Sequence, residues 1–491
     1  MAPGHTRSGL ASNGSTLPTA LANQGGTDLR MADETHEQDT ASDRDQPVRF
    51  AMFESLRFRD FRLIWLGQTS HALAIWAQMI ALPLLVLDIT DNSAVQLGGV
   101  MAARTLPTLF LGIWAGVVVD WFNRRPILIA TKWGSFLLAV LFAVLLIGGW
   151  MELWMIYAWV VAIGSTQAFD QPARFSMVLT VLPRHLITNG MALLSSTQNV
   201  MRIVGAAGAG LVAEFIGLTG TFILIAAIYS TGVVAIHMLH VADHARPSKT
   251  GLRAMTSGLA EGASFAMKRP EIRGVLLISL VYFAFGMSYM QVFAPLFAVE
   301  VIDIGRGGLG MMLSITGVGA LVAALFVAKR QPTRLGLILP LDVAGFGVAL
   351  LLFTGATYLP GTWAIAIPMA VMLAIGALQT TFMSLSRSLM VQAAPDEVRG
   401  RILSFVSLDR SMMAFGGAAG GFLAGAYGVQ ITQIGFGIIC IVGGLVVLMM
   451  TPGFRSFEGQ GSARRRSSDS NSQQKSIPEP VQTARTAGSG D

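Results

Sequence analysis

The sequence predicts an all-α membrane protein: twelve transmembrane helices in two pseudo-symmetric six-helix bundles. Three observations carry that expectation. The chain is too apolar to fold in water: of its 491 residues 53% are hydrophobic and 13% charged, with a mean hydropathy of +0.59, whereas soluble domains carry about 25% charged residues. Its apolar residues fall into about twelve runs, each near the ~20 residues that a spanning helix needs. A glycine-rich segment also occurs twice, at 204–217 and again at 415–428.

The runs are expected at 62–88, 95–119, 127–150, 154–182, 190–215, 220–240, 272–299, 308–328, 335–356, 362–386, 402–426 and 431–451. Helices are the expected form, because a lipid-facing backbone must satisfy its own hydrogen bonds. The short alternating segments of a β-barrel are absent. The repeat pairs the fifth run with the eleventh. Gly205, Ala207, Gly210, Ala213 and Gly217 align without a gap on Gly416, Ala418, Gly421, Ala424 and Gly428, at an offset of 211 residues. Internal repeats of this kind mark many transporters. The expected domains are a disordered cytoplasmic tail (1–55), an N-terminal six-helix bundle (56–240), a cytoplasmic linker (241–271), a C-terminal six-helix bundle (272–451) and a second disordered cytoplasmic tail (452–491).

Charge in the loops gives the expected orientation. Loops between runs 1–2, 3–4 and so on (the odd loops) carry a single basic residue, Arg306. The even loops carry Arg124, Arg125, Arg184, Arg246, Lys249, Arg253, Lys268, Arg269, Lys329, Arg330, Arg334, Arg399 and Arg401. Positive loops stay inside, so the even loops and both termini are expected in the cytoplasm of a bacterial cell, with the spans in its inner membrane. The net charge of +6 reads as loop charge, and no nucleic-acid partner is expected.

Several chemistries are not expected. No G-x-x-x-x-G-K-[ST] phosphate cradle occurs. No His, Cys and carboxylate residues have metal-ligand spacing, and no G-x-S-x-G nucleophile elbow is present. Cys440 is the single cysteine and lies in the last run. The chain is therefore not expected to be an enzyme, and no cofactor or metal is expected. Two similar halves without an ATP site point to a secondary transporter. Its partners would be a small-molecule substrate near the midplane, coupling protons and membrane lipids, and it is expected to act as a monomer.

The stretch "GVVVDWFNRRPIL" joins runs two and three. Gly116 and Asp120 are four residues apart and share a helix face. A missing side chain at Gly116 lets another helix approach. Asp120 could accept hydrogen bonds from the N–H groups at a neighbouring helix start, while Arg124 and Arg125 anchor the next helix. The stretch resembles the loop 2–3 signature of the major facilitator superfamily, roughly G-x-x-x-D-R-x-G-R-R. Gly116, Asp120, Arg124 and Arg125 match; Trp121 and Asn123 depart from it. The resemblance implies the major facilitator fold. It also implies a conformational latch that closes the cytoplasmic side against the start of helix eleven, near Arg401–Ser404.

Two further stretches narrow the likeness. "PDEVRGRILS" (395–404), with Arg399 and Arg401, and "QPARFSMVLTVLPRHLITNGMALLSS" (171–196) resemble the branch containing the enterobactin exporter and macrolide-efflux-like proteins. "GAAGAG", with Gly205, Gly208 and Gly210, is similar to the exporter motif G-P-x-x-G-G, with Ala206 at the proline. These glycines, and Gly416, Gly417, Gly420 and Gly421 of the second copy, are expected to pack helices closely.

Charged residues inside spans are functional candidates. Arg104 lies sixteen residues before Asp120, about 24 Å along a helix; it would attract an anionic substrate or pair with a carboxylate. Asp342 is the intramembrane carboxylate best suited to carry a coupling proton, with hydrogen-bonded packing as its alternative. Asp170 and Arg174 are one turn apart and can pair locally. Arg202 and Asp409 are further substrate, gating or pairing candidates. His71, in the first run, is a candidate proton carrier or a packing residue. Glu214 is expected to reach the headgroups. Phe283, Phe285, Met287, Tyr289, Met290, Gln291 and Phe293 crowd the seventh run and would suit an amphipathic ligand or face lipid. The expected function is proton-coupled efflux of an amphipathic small molecule, a siderophore or a drug, by alternating access. An importer of the same fold and a non-transporting scaffold or receptor are the alternatives.

Overall fold

The computed structural model describes residues 48–240, 268–330, 332–393 and 406–455; within these, nothing is described for the side chains of residues 48–52, 113, 116, 117, 120, 406–408 and 410. Much of both tails and of the linker, and of the candidate latch Arg399, Arg401 and the Asp120 side chain, therefore lie outside the described residues.

From Ser55 onward the chain forms one compact unit. Its described residues form long helical rods: α1 Arg59–Ile89, α2 Ala94–Trp121, α3 Arg124–Ile147, α4 Leu153–Val181, α5 Ile187–Phe215, α6 Gly217–His237, α7 Pro270–Val301, α8 Gly305–Arg330, α9 Leu335–Ala356, α10 Trp363–Ala393, α11 Val406–Tyr427 and α12 Val429–Met450. Among the described residues, nine helices are long and apolar enough to cross a membrane by length and composition. The rods outside that set, α4, α5 and α11, carry polar and charged residues at Asp170, Arg174, Arg202 and Asp409.

Most rod ends fall within three residues of the expected runs. The largest departure is α10, which continues seven residues past the expected end at 386, to Ala393. Arg387 is thus a helical residue rather than a loop charge. The rod α7 is irregular: π-helical turns occupy Tyr282–Gly286, Tyr289–Phe293 and Phe297–Val301. Such turns widen a helix locally and occur often at functional sites.

Packing repeats between the two sets of rods. In the first, α1 packs on α5 and α6, α2 on α4, and α3 on α4 and α6; in the second, α8 packs on α10, and α9 on α10 and α12. The sets join mainly through α2 with α11 and α5 with α8. These two junctions are equivalent under the repeat, since each sets a fifth helix of one half against the second helix of the other.

Glycine makes both junctions possible. A Cβ built at Gly98 would lie 2.6 Å from the Gly417 carbonyl oxygen and 2.7 Å from the Gly421 Cα; one at Gly210 would lie 2.7 Å from the Gly310 Cα. Backbones this close leave no room for a side chain. The repeat partners Gly210 and Gly421 therefore do the same job in the two halves. Gly205 seats α5 on α1, where a Cβ would lie 2.8 Å from the Trp76 Cβ, and Gly416 seats α11 on α7 against the Ala284 carbonyl. Gly420 lies against Phe293 at 3.3 Å, and Gly417 has only ordinary van der Waals neighbours from 3.5 Å outward. At Gly208 a Cβ would meet nothing within 4 Å, so that glycine departs from the close-packing expectation.

Candidate functional site

The charges inside the first half converge. Asp170 and Arg174 lie on one face of α4 because they are four residues apart. The Arg174 Nη1 donates to the Asp170 Oδ2 at 2.5 Å. From α3 the Lys132 Nζ sits 2.7 Å from the Asp170 Oδ1. From α1 the His71 Nε2 is 3.8 Å from Oδ2, and the Thr131 hydroxyl donates to Oδ1 at 3.4 Å. Asp170, Lys132, His71 and Arg174 are all buried. The local pair expected from sequence is therefore part of a larger cluster, one carboxylate among two obligate cations and an imidazole. His71 also faces Tyr229, with ring centroids 5.7 Å apart.

Among the described residues Arg104 has no carboxylate partner. Its Nη2 donates to the Gln78 Oε1 at 3.4 Å, and its Nη1 approaches the Met79 sulfur at 3.8 Å. Gln78 in turn donates to the Tyr229 hydroxyl at 3.1 Å.

Arg202 bridges the two halves. Its Nη2 donates to the Thr316 hydroxyl on α8 at 3.1 Å and to the Gln379 Oε1 on α10 at 2.5 Å. Its guanidinium lies 5.3 Å from the Trp76 ring centroid, a cation–π distance. It is 7% exposed, and its Nε has no hydrogen-bond partner.

Two cavities of about 310 and 520 Å³ lie among these residues. They share Gln171, Arg174 and Gln198. The smaller is walled by His71, Arg104 and Asp170, and reaches Gln291 and Met413 in the second half. The larger is walled by Trp76, Arg202, Gln379 and Arg387. Both volumes fall within the size range of small-molecule sites.

The other candidates stand apart. Asp342 is buried in α9, and its Oδ2 has no hydrogen-bond partner. It lines neither cavity. One turn along α9, Phe346 packs on Tyr282 of α7 at 5.3 Å. Asp409 is half-buried in the first turn of α11.

At the even-loop end, Arg124 ties the start of α3 to the end of α4. Its Nη1 donates to the Ser176 carbonyl at 3.3 Å and to the Thr180 hydroxyl at 2.9 Å. Arg125 is half-buried, and its Nε has no hydrogen-bond partner among the described residues. At the odd-loop end, the exposed Glu214 also touches the second half: its Oε2 accepts the Gly307 N–H at 3.1 Å, in the first turn of α8. Arg306 lies 3.6 Å from Asp88 beside it.

Sequence reasoning missed Lys132, Arg387, the cavity-lining Trp76, Gln198 and Gln379, and the buried Gln78. Lys132 had a readable signal, a lysine inside the third apolar run. The neutral residues gave no such signal, because Gln and Trp recur along the chain.

Comparison with known proteins agrees with this architecture. Residues 50–478 match the family described as transmembrane secretion effector. The chain is 25% identical over 371 residues to the staphyloferrin A transporter of Staphylococcus aureus, covering 74% of this chain and 90% of that protein. It is 26% identical over 387 residues to the multidrug efflux pump Tap of Mycolicibacterium fortuitum, covering 76% and 91%. In fold it is similar to a POT family transporter crystallised with a thioalcohol-conjugated peptide, with a TM-score of 0.66 at 12% identity over 81% of this chain and 96% of that one. It is likewise similar to the nucleoside transporter NupG, with a TM-score of 0.60 at 14% identity over 80% and 99%.

Proposed function

Because the chain belongs to the transmembrane secretion effector family of major facilitator transporters, we propose that it exports an amphipathic small molecule, a siderophore or a drug, by proton-coupled alternating access. The supporting observation is Arg202, a buried charge on one half that binds Thr316 and Gln379 of the other beside the shared cavities. A site built from both halves changes whenever they swing, and that is what alternating access requires. The outward direction is supported by the similarity to the multidrug efflux pump Tap.

In this reading the glycine junctions hold the odd-loop end closed. The even-loop end then opens to the cytoplasm of a bacterial cell, with both termini on that side and the protein acting as a monomer in the inner membrane. The latch residues Gly116, Asp120, Arg124, Arg125, Arg399 and Arg401 close that end in the opposite state. Asp342 is the proton carrier: it is buried, has no ion pair among the described residues, and keeps one carboxyl oxygen without a partner. Asp170 is held between Lys132 and Arg174 and serves as a fixed structural charge.

The test uses everted membrane vesicles from cells that express the full chain, loaded by respiration. Ethidium and an iron-free siderophore preparation are the probes. Uptake of one probe above control vesicles, abolished by a protonophore, is the expected result. Uptake equal to the control for every probe, or uptake that survives the protonophore, overturns the proposal.

A further inference from the structure

We propose that the cargo is an anion with two or more carboxylate groups, held between Arg104 and Arg202; this rests on the transport reading above and names the substrate class of the same site. The charge inventory leads there. Among the described residues lining the two cavities, the side chains of fixed charge are Arg104, Arg174, Arg202 and Arg387 against a single acid, Asp170. That acid is already held by Lys132 and Arg174. The described walls therefore carry a positive excess, four arginines against one acid that is already paired.

Buried guanidinium groups without counter-ions are costly. Arg104 meets only an amide oxygen at 3.4 Å and a thioether at 3.8 Å. Arg202 meets a hydroxyl, an amide oxygen and an indole face, and its Nε has no partner. A guanidinium offers five N–H donors in a planar fork that matches a carboxylate. Both arginines keep donors to spare.

The two cavities meet at Gln171, Arg174 and Gln198, with Arg104 on the wall of the smaller and Arg202 on the wall of the larger. A ligand that spans this junction faces both cations. The nearby walls, with Trp76, Phe175, Met287, Met290 and Met383, suit the apolar part of such a molecule. A lipophilic cation would face four arginines against one acid on the described walls.

The experiment uses the purified full-length protein in detergent, with citrate, acetate, pyrophosphate and tetraphenylphosphonium as probes. The readouts are thermal stability and tryptophan fluorescence, with Trp76→Phe identifying the indole beside Arg202. Citrate is expected to raise the Tm saturably and to change the Trp76 signal, while acetate and tetraphenylphosphonium do neither. Arg104→Gln and Arg202→Gln are each expected to weaken citrate at least tenfold. Should Arg202→Gln not fold, Arg202→Lys, which keeps the charge but loses the fork, takes its place with a smaller loss. Binding of tetraphenylphosphonium but not citrate overturns the proposal. So does citrate binding that ignores both substitutions, a preference for pyrophosphate, or no response to any probe. Counterflow in proteoliposomes separates the two readings. Citrate binding without movement of any solute rejects transport and keeps the anion site; movement of ethidium without anion binding does the reverse.

Discussion

Replacing Asp170 by Asn removes the one negative charge from a buried cluster and keeps its shape. Its two cationic contacts are 2.7 Å (Lys132) and 2.5 Å (Arg174). At an effective dielectric of about 20, each pair gains about 6 kcal/mol of Coulomb attraction. Several kcal/mol of desolvation per ion offset most of that in the intact cluster. The mutant keeps the desolvation and loses the attraction, and Lys132 and Arg174 then repel each other. Breaking a buried pair in this way costs about 3–5 kcal/mol, which is two to three and a half decades in the folding constant at about 1.4 kcal/mol per decade. Reversible unfolding by SDS in mixed micelles, followed by tryptophan fluorescence, measures it. Lys132→Met should cost less, because Asp170 keeps Arg174. The double variant should recover part of the loss, with a coupling of about 0.5–3 kcal/mol. An Asp170→Asn protein within ~0.5 kcal/mol of wild type, a typical surface effect, or one no worse than Lys132→Met, would refute the reasoning.

Asp342→Asn is expected to abolish proton-driven accumulation and spare counterflow in proteoliposomes; unchanged dependence on the pH gradient rejects Asp342 as the carrier. Gly210→Ala or Gly98→Ala inserts a methyl group where backbone lies within 2.7 Å. At about 1–3 kcal/mol of overpacking, the closed odd-loop end should lose roughly 5–150-fold in population. Maleimide labelling of Ser314→Cys should report this, and unaltered labelling would contradict it. Gly376→Ala meets the Thr316 backbone inside the second half, so it should lower unfolding stability without changing that labelling. Arg306→Gln breaks an exposed pair of 3.6 Å; such pairs are worth about 0–1 kcal/mol, and labelling should move by less than about fivefold.

Periodicity and apolar length made the rods legible, because lipid forces the backbone into long self-satisfied helices. The repeat at 204–217 and 415–428 was legible for a physical reason as well. Gly210 and Gly421 both meet a glycine of the opposite half, so composition at those positions is set by backbone distance. Site chemistry was less legible. Arg104, Asp170, Arg174 and Arg202 stood out as charges in apolar runs, yet their partners did not. Lys132 lies inside the third run but was not singled out, and Arg387 fell just past the expected end of the tenth run at 386. Gln198 and Gln379 are neutral, and only folding brings them to one cavity.

The rods that fall short of the membrane criterion explain the link between these two levels. A helix facing lipid all round must be uniformly apolar, whereas a helix lining a polar cavity carries charge on one face and lowers its own mean hydropathy. The rods α4 and α5 do this with Asp170, Arg174 and Arg202, and those residues wall the cavities. Their low hydropathy is therefore a mark of position at the interface between halves. The same two features, charge facing inward and glycine facing the opposite half, meet on α5: Arg202 reaches α8 and α10, and two turns later Gly210 lies against Gly310. A swing that separates Gly210 from Gly310 displaces the helix that carries Arg202. Closure of the odd-loop end and the shape of the cationic site are thus coupled through one rigid helix, and a ligand that prefers one arrangement of Arg202 biases the junction by its differential affinity.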